Sequence, residues 1–149
     1  MCCKHIVSTK TFQSHTTGEK IEILHNLHCR SRNSIYLAHC SLCPKSQYVG
    51  KCEPPANTRM NTHRHDVNSP NGGPYDKHFL LPGHNFNDHP RFTLIEQVNA
   101  PRGMSKSEKR QLLEDREDYW MTRLKTLQPD RFNDHLNSTL RQSIHGICH

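Results

Sequence analysis

Two short segments of β-forming residues, Ser34-Ile35-Tyr36 and Tyr48-Val49-Gly50, bracket the pair Cys40-Ser41-Leu42-Cys43, and no other feature restricts the chain as much. Residues 33–39 read as a half-buried strand and Gln47-Tyr48-Val49-Gly50 as its return strand. Pro44 and Lys45 then occupy the connecting turn, where a proline is tolerated. Both cysteines fall at the tip of that hairpin. Given a suitable register, adjacent antiparallel strands put Tyr36 and Tyr48 on one face.

The punctuation of the chain sets the other elements. Pro54-Pro55 stops the second strand, and Asn57 or Thr58 is placed to cap a helix running to about Val67. The stretch Asn68-Ser69-Pro70-Asn71-Gly72-Gly73-Pro74 breaks it. Residues 75–90 are His-rich and irregular, and Arg91 to Val98 is the strongest strand in the chain. Residues 99–103 link it to a long helix. Ser105 caps that helix with Glu108 as a capping-box partner. Leu112, Leu113, Trp120, Leu124 and Leu127 form its apolar face, and Gln128-Pro129 ends it. Upstream, residues 1–20 are polar and irregular and Lys20 to Leu24 is a short strand. Residues 133–144 form a short terminal helix. The expected class is mixed α/β of the α+β kind, a small, mainly antiparallel sheet of about three strands flanked by helices. Residues 1–32 form an N-terminal extension with Cys, His and a short strand, 33–133 the central domain, and 134–149 a C-terminal helix or tail.

A chain of 149 residues suits one domain. Only 32% of it is apolar, so its core is small, and a bound metal is a common remedy at this size. Lys and Arg number 20 against 14 Asp and Glu, a net charge of +6, with 13 His in reserve. Such a surface attracts polyanions; general solubility is the plainer account of the same charge. No apolar segment follows a basic start, so no secretory signal is expected. No apolar run approaches the length of a membrane span. The expected compartment is intracellular and reducing. The seven Cys then read as metal ligands or free thiols rather than disulfides.

Several residues could carry chemistry. A phenol such as Tyr36 or Tyr48 titrates near pH 10 and acts as a base only when neighbouring cations, here Arg59, Lys51 or a metal, lower that value. Either tyrosine serves equally as a core aromatic. Arg59 and His63 are one helical turn apart. A fixed guanidinium stabilises the charge that phosphodiester hydrolysis builds on non-bridging oxygens, and the imidazole can relay a proton or touch phosphate. The same pair also reads as a solvated basic face. Glu117 on the long helix could hold Mg2+ or Mn2+, which prefer oxygen ligands, or be one more acid beside Glu114, Asp115 and Asp118. Cys40 and Cys43 need two further ligands to close a tetrahedron around zinc, or they are two reduced thiols.

In their order and spacing these motifs resemble the GIY-YIG nuclease superfamily, and within it most nearly the endonuclease domain of Penelope-like retroelements. The likeness runs from about residue 12 to residue 133. Ser34-Ile35-Tyr36 stands for the first motif, Tyr48-Val49-Gly50 for the second, and a Cys pair between them marks the Penelope branch. Thr58-Arg59-Met60-Asn61-Thr62-His63-Arg64 looks like its Arg-helix. Lys77-His78-Phe79 and Pro82-Gly83-His84 look like its His-rich segment. Arg116-Glu117-Asp118-Tyr119-Trp120 looks like its carboxylate helix. The resemblance implies that Tyr36 activates a water, Tyr48 helps position it, Arg59 holds phosphate, Glu117 holds Mg2+, and Asn133 braces the site by hydrogen bonds. It implies a structural Zn2+ on Cys40, Cys43, His78 and His84, with His63 or His65 as rival ligands. Cys2, Cys3, His5 and Cys29 are a second possible cluster. Ser34 departs from the family's first Gly.

The leading expectation is a divalent-metal-dependent DNA endonuclease. It would be nuclear, and its nick would expose a 3′-hydroxyl for a reverse transcriptase carried by a longer parent protein. No polymerase motif occurs here, so the chain reads as an excised, fragmentary or host-retained endonuclease domain. The alternatives are a catalytically inactive, zinc-stabilised nucleic-acid-binding module and a metal-binding interaction protein without a nucleic-acid partner.

Overall fold

In the computed structural model, residues 2–127, 132, 133 and 136–138 are described, with the side chains of residues 2 and 3 set aside. Strands β1 (Ile6–Val7), β2 (Thr11–Gln13), β3 (Lys20–Glu22), β4 (Ser34–Cys40), β5 (Cys43–Cys52) and β6 (Pro90–Gln97) accompany helices α1 (Ala56–Asp66), α2 (Pro74–His78) and α3 (Lys106–Leu124). The α+β class is as expected. The central sheet, however, has four strands rather than three, in the order β1-β6-β4-β5. The additional strand is β1, which pairs parallel with β6, Ile6 opposite Phe92. Strands β2 and β3 form a separate antiparallel pair, so residues 1–20 are more ordered than their polar composition implies.

The hairpin runs from β4 to β5 with Tyr36 opposite Gly50 and Cys40 opposite Cys43. Its turn is Ser41-Leu42 alone, tighter than the expected connection that included Pro44 and Lys45. Pro44 and Lys45 lie within β5, where the register shifts between Ala38 and Cys40. A bulge on an edge strand spares a proline the ladder bond it cannot donate. The Ser46 hydroxyl takes the Cys40 N–H there, at 3.1 Å.

Side-chain alternation along β4 sorts the core into two faces. Tyr36, Ala38 and Cys40 point to one, with Met60, Tyr75, Phe79, Phe86 and Phe92. Ile35 and Leu37 point to the other, with Val49, Leu113, Trp120, Met121 and Leu124. Helix α1 buries Ala56, Met60 and His63, one stripe at helical spacing. It starts before the expected caps, with Pro55 at the N-cap and no side-chain cap bond. The first-turn N–H groups of Ala56 and Asn57 go instead to the carbonyls of Ser31 and Cys29, at 3.0 and 2.8 Å, so no side-chain cap is needed. Helix α3 begins as expected, the Ser105 hydroxyl accepting from the Glu108 N–H at 3.2 Å. It ends at Lys125 in a left-handed conformation (φ 54°). The Gln128-Pro129 stop and most of the expected terminal helix lie outside the described residues. Arg116 and the Trp120 indole both bond the Glu96 carboxylate, tying α3 to β6. No described helix is long and apolar enough to cross a membrane.

Candidate active site and metal centre

Strand β5 is an edge of the sheet, and an open cleft of about 600 Å³ lies against it. Tyr48 and Lys51 from β5, Arg59 from α1, Arg110 and Glu117 from α3, and Asn133 are among its lining residues. Because β5 alternates, Tyr48 belongs to the face covered by α1, and Lys51 to the face covered by α3. The cleft forms where helices from opposite faces of the sheet reach past its edge.

Glu117 sits in the middle of the buried stripe Leu113, Trp120, Met121 and Leu124. Burial pushes its carboxyl above the usual range, against the pull of Lys51 and a hydrogen bond from Asn137. That bond, from the Asn137 amide to Oε1, is 2.7 Å, whereas the Lys51 ammonium stands 4.0 Å away. The Lys51 backbone also bonds this carboxyl, and an oxygen donor of this kind is one that a hard divalent cation could use. Across the cleft, Arg59 remains a cation despite burial, its already high pKa raised beside Tyr36 and Tyr48. Asn133 accepts from the Val49 N–H (2.8 Å) and donates to the Val49 carbonyl (2.9 Å). Its oxygen also accepts from Thr126 Oγ1 at 2.7 Å. The strand segment between Tyr48 and Gly50 is therefore clamped from the side.

Tyr36 departs from expectation. It has no exposed surface and does not line the cleft. Burial holds its pKa well above 10, and Arg59 only partly opposes this. Burial likewise pushes Tyr48 up to about 12. Arg59 pulls both phenols down without offsetting their burial, because desolvation of a phenolate outweighs one guanidinium. Tyr36 instead meets His63, its hydroxyl 2.6 Å from Nε2, while His63 Nδ1 lies 2.6 Å from Asp76 Oδ1. Burial lowers the His63 pKa although the Asp76 hydrogen bond raises it. With a carboxylate at Nδ1 and a hydroxyl at Nε2, a neutral ring that donates from Nδ1 and accepts on Nε2 would satisfy all three groups. Gly50 makes room for this arrangement, since a Cβ there would fall 2.3 Å from the Tyr36 hydroxyl.

The second constellation lies at the hairpin tip. Potential ligand atoms of Cys40, Cys43, His78 and His84 all lie within 4.8 Å of one another, a cluster that could hold a metal ion such as zinc. Cys43 Sγ is 3.4 Å from His84 Nε2; the sulfur–nitrogen edge of a zinc tetrahedron is about 3.6 Å. His84 Nδ1 lies 3.1 Å from the Pro82 carbonyl, which fixes the proton there and turns the Nε2 lone pair inward. His78 Nε2 is shielded without a hydrogen-bond partner. That orphaned atom fits a metal ligand. His63 is committed to Tyr36 and Asp76, and His65 is exposed on α1, so neither rival belongs to the cluster. Cys29, Cys40, Cys43 and Cys52 are free thiols.

Sequence reasoning passed over Asp76, Arg110 and Asn137. Asp76 had a signal: an acid in the first turn after Gly73-Pro74, a helix-start pattern. Its Oδ2 takes the Gly73 N–H at 3.3 Å. Glu117, which the sequence did single out, stands as the one acid among the buried residues of α3. In comparisons with known proteins, no family model matches the chain, and neither a curated protein nor a solved structure matches it.

Proposed function

We propose that this chain is a divalent-metal-dependent DNA endonuclease that nicks one strand per site, with a structural Zn2+ on Cys40, Cys43, His78 and His84. The observation that supports this reading is the meeting of Tyr48, Arg59, Glu117 and Asn133 in one cleft, from positions scattered over most of the chain. Their order resembles that of the GIY-YIG nucleases. A net charge of +6 suits a DNA partner, and a nuclear location accords with one.

Glu117 would hold Mg2+ or Mn2+, which when bound neutralises phosphate charge and acidifies a coordinated water. Arg59 grips the non-bridging oxygens as negative charge builds on them, and Lys51 and Arg110 draw the backbone into the cleft. Tyr48, the phenol that reaches the cleft, orients the attacking water. The water oxygen bonds to phosphorus and gives up a proton to solvent, the P–O3′ bond breaks, and the departing oxygen takes a proton from solvent to leave a 3′-hydroxyl. Asn133 keeps Tyr48 in register with Arg59 by holding Val49.

Supercoiled plasmid with Mg2+ or Mn2+ tests the proposal. Nicked circles are expected, and Glu117→Ala should abolish them while DNA binding persists. One observation favours a second reading, a zinc-stabilised binding module without turnover: Tyr36 is fully buried with a pKa far above neutrality. Binding with no cutting in either metal would establish that reading.

A further inference from the structure

A buried polar trio runs through the aromatic face of the sheet, and the cleft chemistry above leaves Asp76 without a role. Asp76 and His63 are 5% and 2% exposed, and Tyr36 not at all. Burying three polar groups together costs desolvation free energy, and an apolar trio of similar volume would fill the space without that cost. Such a network earns its place by fixing one geometry.

We infer that Asp76 is a positioning residue for the cleft, holding His63 in the tautomer that carries its proton on Nδ1 and presents Nε2 to the Tyr36 hydroxyl. The inference rests on the endonuclease reading and adds a residue to it. His63 is wedged among aromatic rings, stacked on Phe92 at 5.7 Å and edge-on to both Tyr36 (5.8 Å) and Tyr48 (5.9 Å). Rotation of its ring would therefore disturb the one phenol that lines the cleft. It would also move the Tyr36 hydroxyl, whose charge environment includes Arg59. Asp76 is itself held at two points, Oδ1 on His63 and Oδ2 on the Gly73 N–H. Lys77, the next residue, bonds the carbonyls of Val67 and Ser69 at the end of α1. The carboxylate is thus fixed relative to the helix that carries both His63 and Arg59.

Long-range proton–nitrogen NMR of the histidine side chains in the full chain reads the tautomer directly. In the wild type, His63 should carry its proton on Nδ1, with Nε2 bare. Asp76→Asn should shift or mix that tautomer and lower kcat for plasmid nicking by about 10- to 100-fold, with KM for DNA little changed. Asp76→Glu, which keeps a carboxylate, should recover most of the rate and the original tautomer. A wild-type ring protonated on Nε2 overturns the inference whether or not any variant folds. So does an Asp76→Asn chain that nicks at the wild-type rate. A wild-type chain that binds DNA and never nicks it defeats the endonuclease reading instead, and the nitrogen shifts still decide whether Asp76 sets the ring.

Discussion

The two faces of the central sheet are built from the same three long strands and could hardly differ more. Under α3 the apolar core is aliphatic apart from Trp120, Met121 and a half-buried Phe12, and the Trp120 indole alone among these described apolar residues makes a side-chain hydrogen bond. Under α1 and α2 it is aromatic and threaded by Tyr36, His63 and Asp76. One residue breaks the symmetry on each side. Glu117 interrupts the aliphatic stripe of α3, and Arg59 stands at the rim of the aromatic face. Both look into the same cleft. The contrast teaches that one face supplies stability and the other trades some of it for orientation, with the charged groups of the cleft where the two meet.

The sharpest way to break that comparison is to damage the aliphatic face alone. Leu113→Ala, at a site with no exposed surface, should cost about 2–5 kcal/mol in urea unfolding. Nicking per folded molecule should be unchanged; a matching loss of rate would mean that the faces are not separable. The converse is Arg59→Ala, expected to raise the barrier to cleavage by about 2–4 kcal/mol in single-turnover assays, with a much smaller change in unfolding. Gly50→Ala probes the joint between the faces. Its methyl group would collide with Tyr36, so about 1–3 kcal/mol of stability should go, together with a disturbed His63 signal.

Acid should act on the aromatic face. Burial, helped by Lys4, Arg64 and Arg91, lowers His5 from 6.5 to about 4, and His63 is shifted in the same direction. The unfolded chain takes up these protons near 6.5 while the native chain refuses them. Stability is therefore full above pH 6.5 and falls as pH drops from there through about 4. Urea midpoints measured across that range should show the slope, and His5→Asn should lessen it, leaving the share of His39, which burial also lowers to about 4. The smallest effect is reserved for Ser105→Ala, about 1 kcal/mol from a lost helix cap, with no change in rate or pH dependence.

Much of this was legible before any coordinates because it rests on local chemistry. Ser105 and Glu108 announce the start of α3, the Cys pair sits where a tight turn belongs, and Arg59 and His63 share a helix face by spacing alone. What escaped is what tertiary contact creates. Ile6 and Val7 are a strand only because Phe92 and Thr93 lie alongside. Pro44 looks like a turn residue until a bulge relieves it. The phenols looked activated because their cationic neighbours were visible in the sequence, whereas the burial that outweighs those cations was not.

Helix α2 is only five residues long, yet it carries both Asp76 and His78. A zinc ion gripping His78 would anchor the same single turn whose carboxylate steadies His63. Metal starvation would then reach the cleft as a misaimed ring well before it appeared as unfolding. With a zinc-selective chelator and Mg2+ kept in excess, nicking should fade while the aliphatic half of the molecule still melts cooperatively, which on the endonuclease reading would make cleavage responsive to zinc supply through residues that lie outside the cleft.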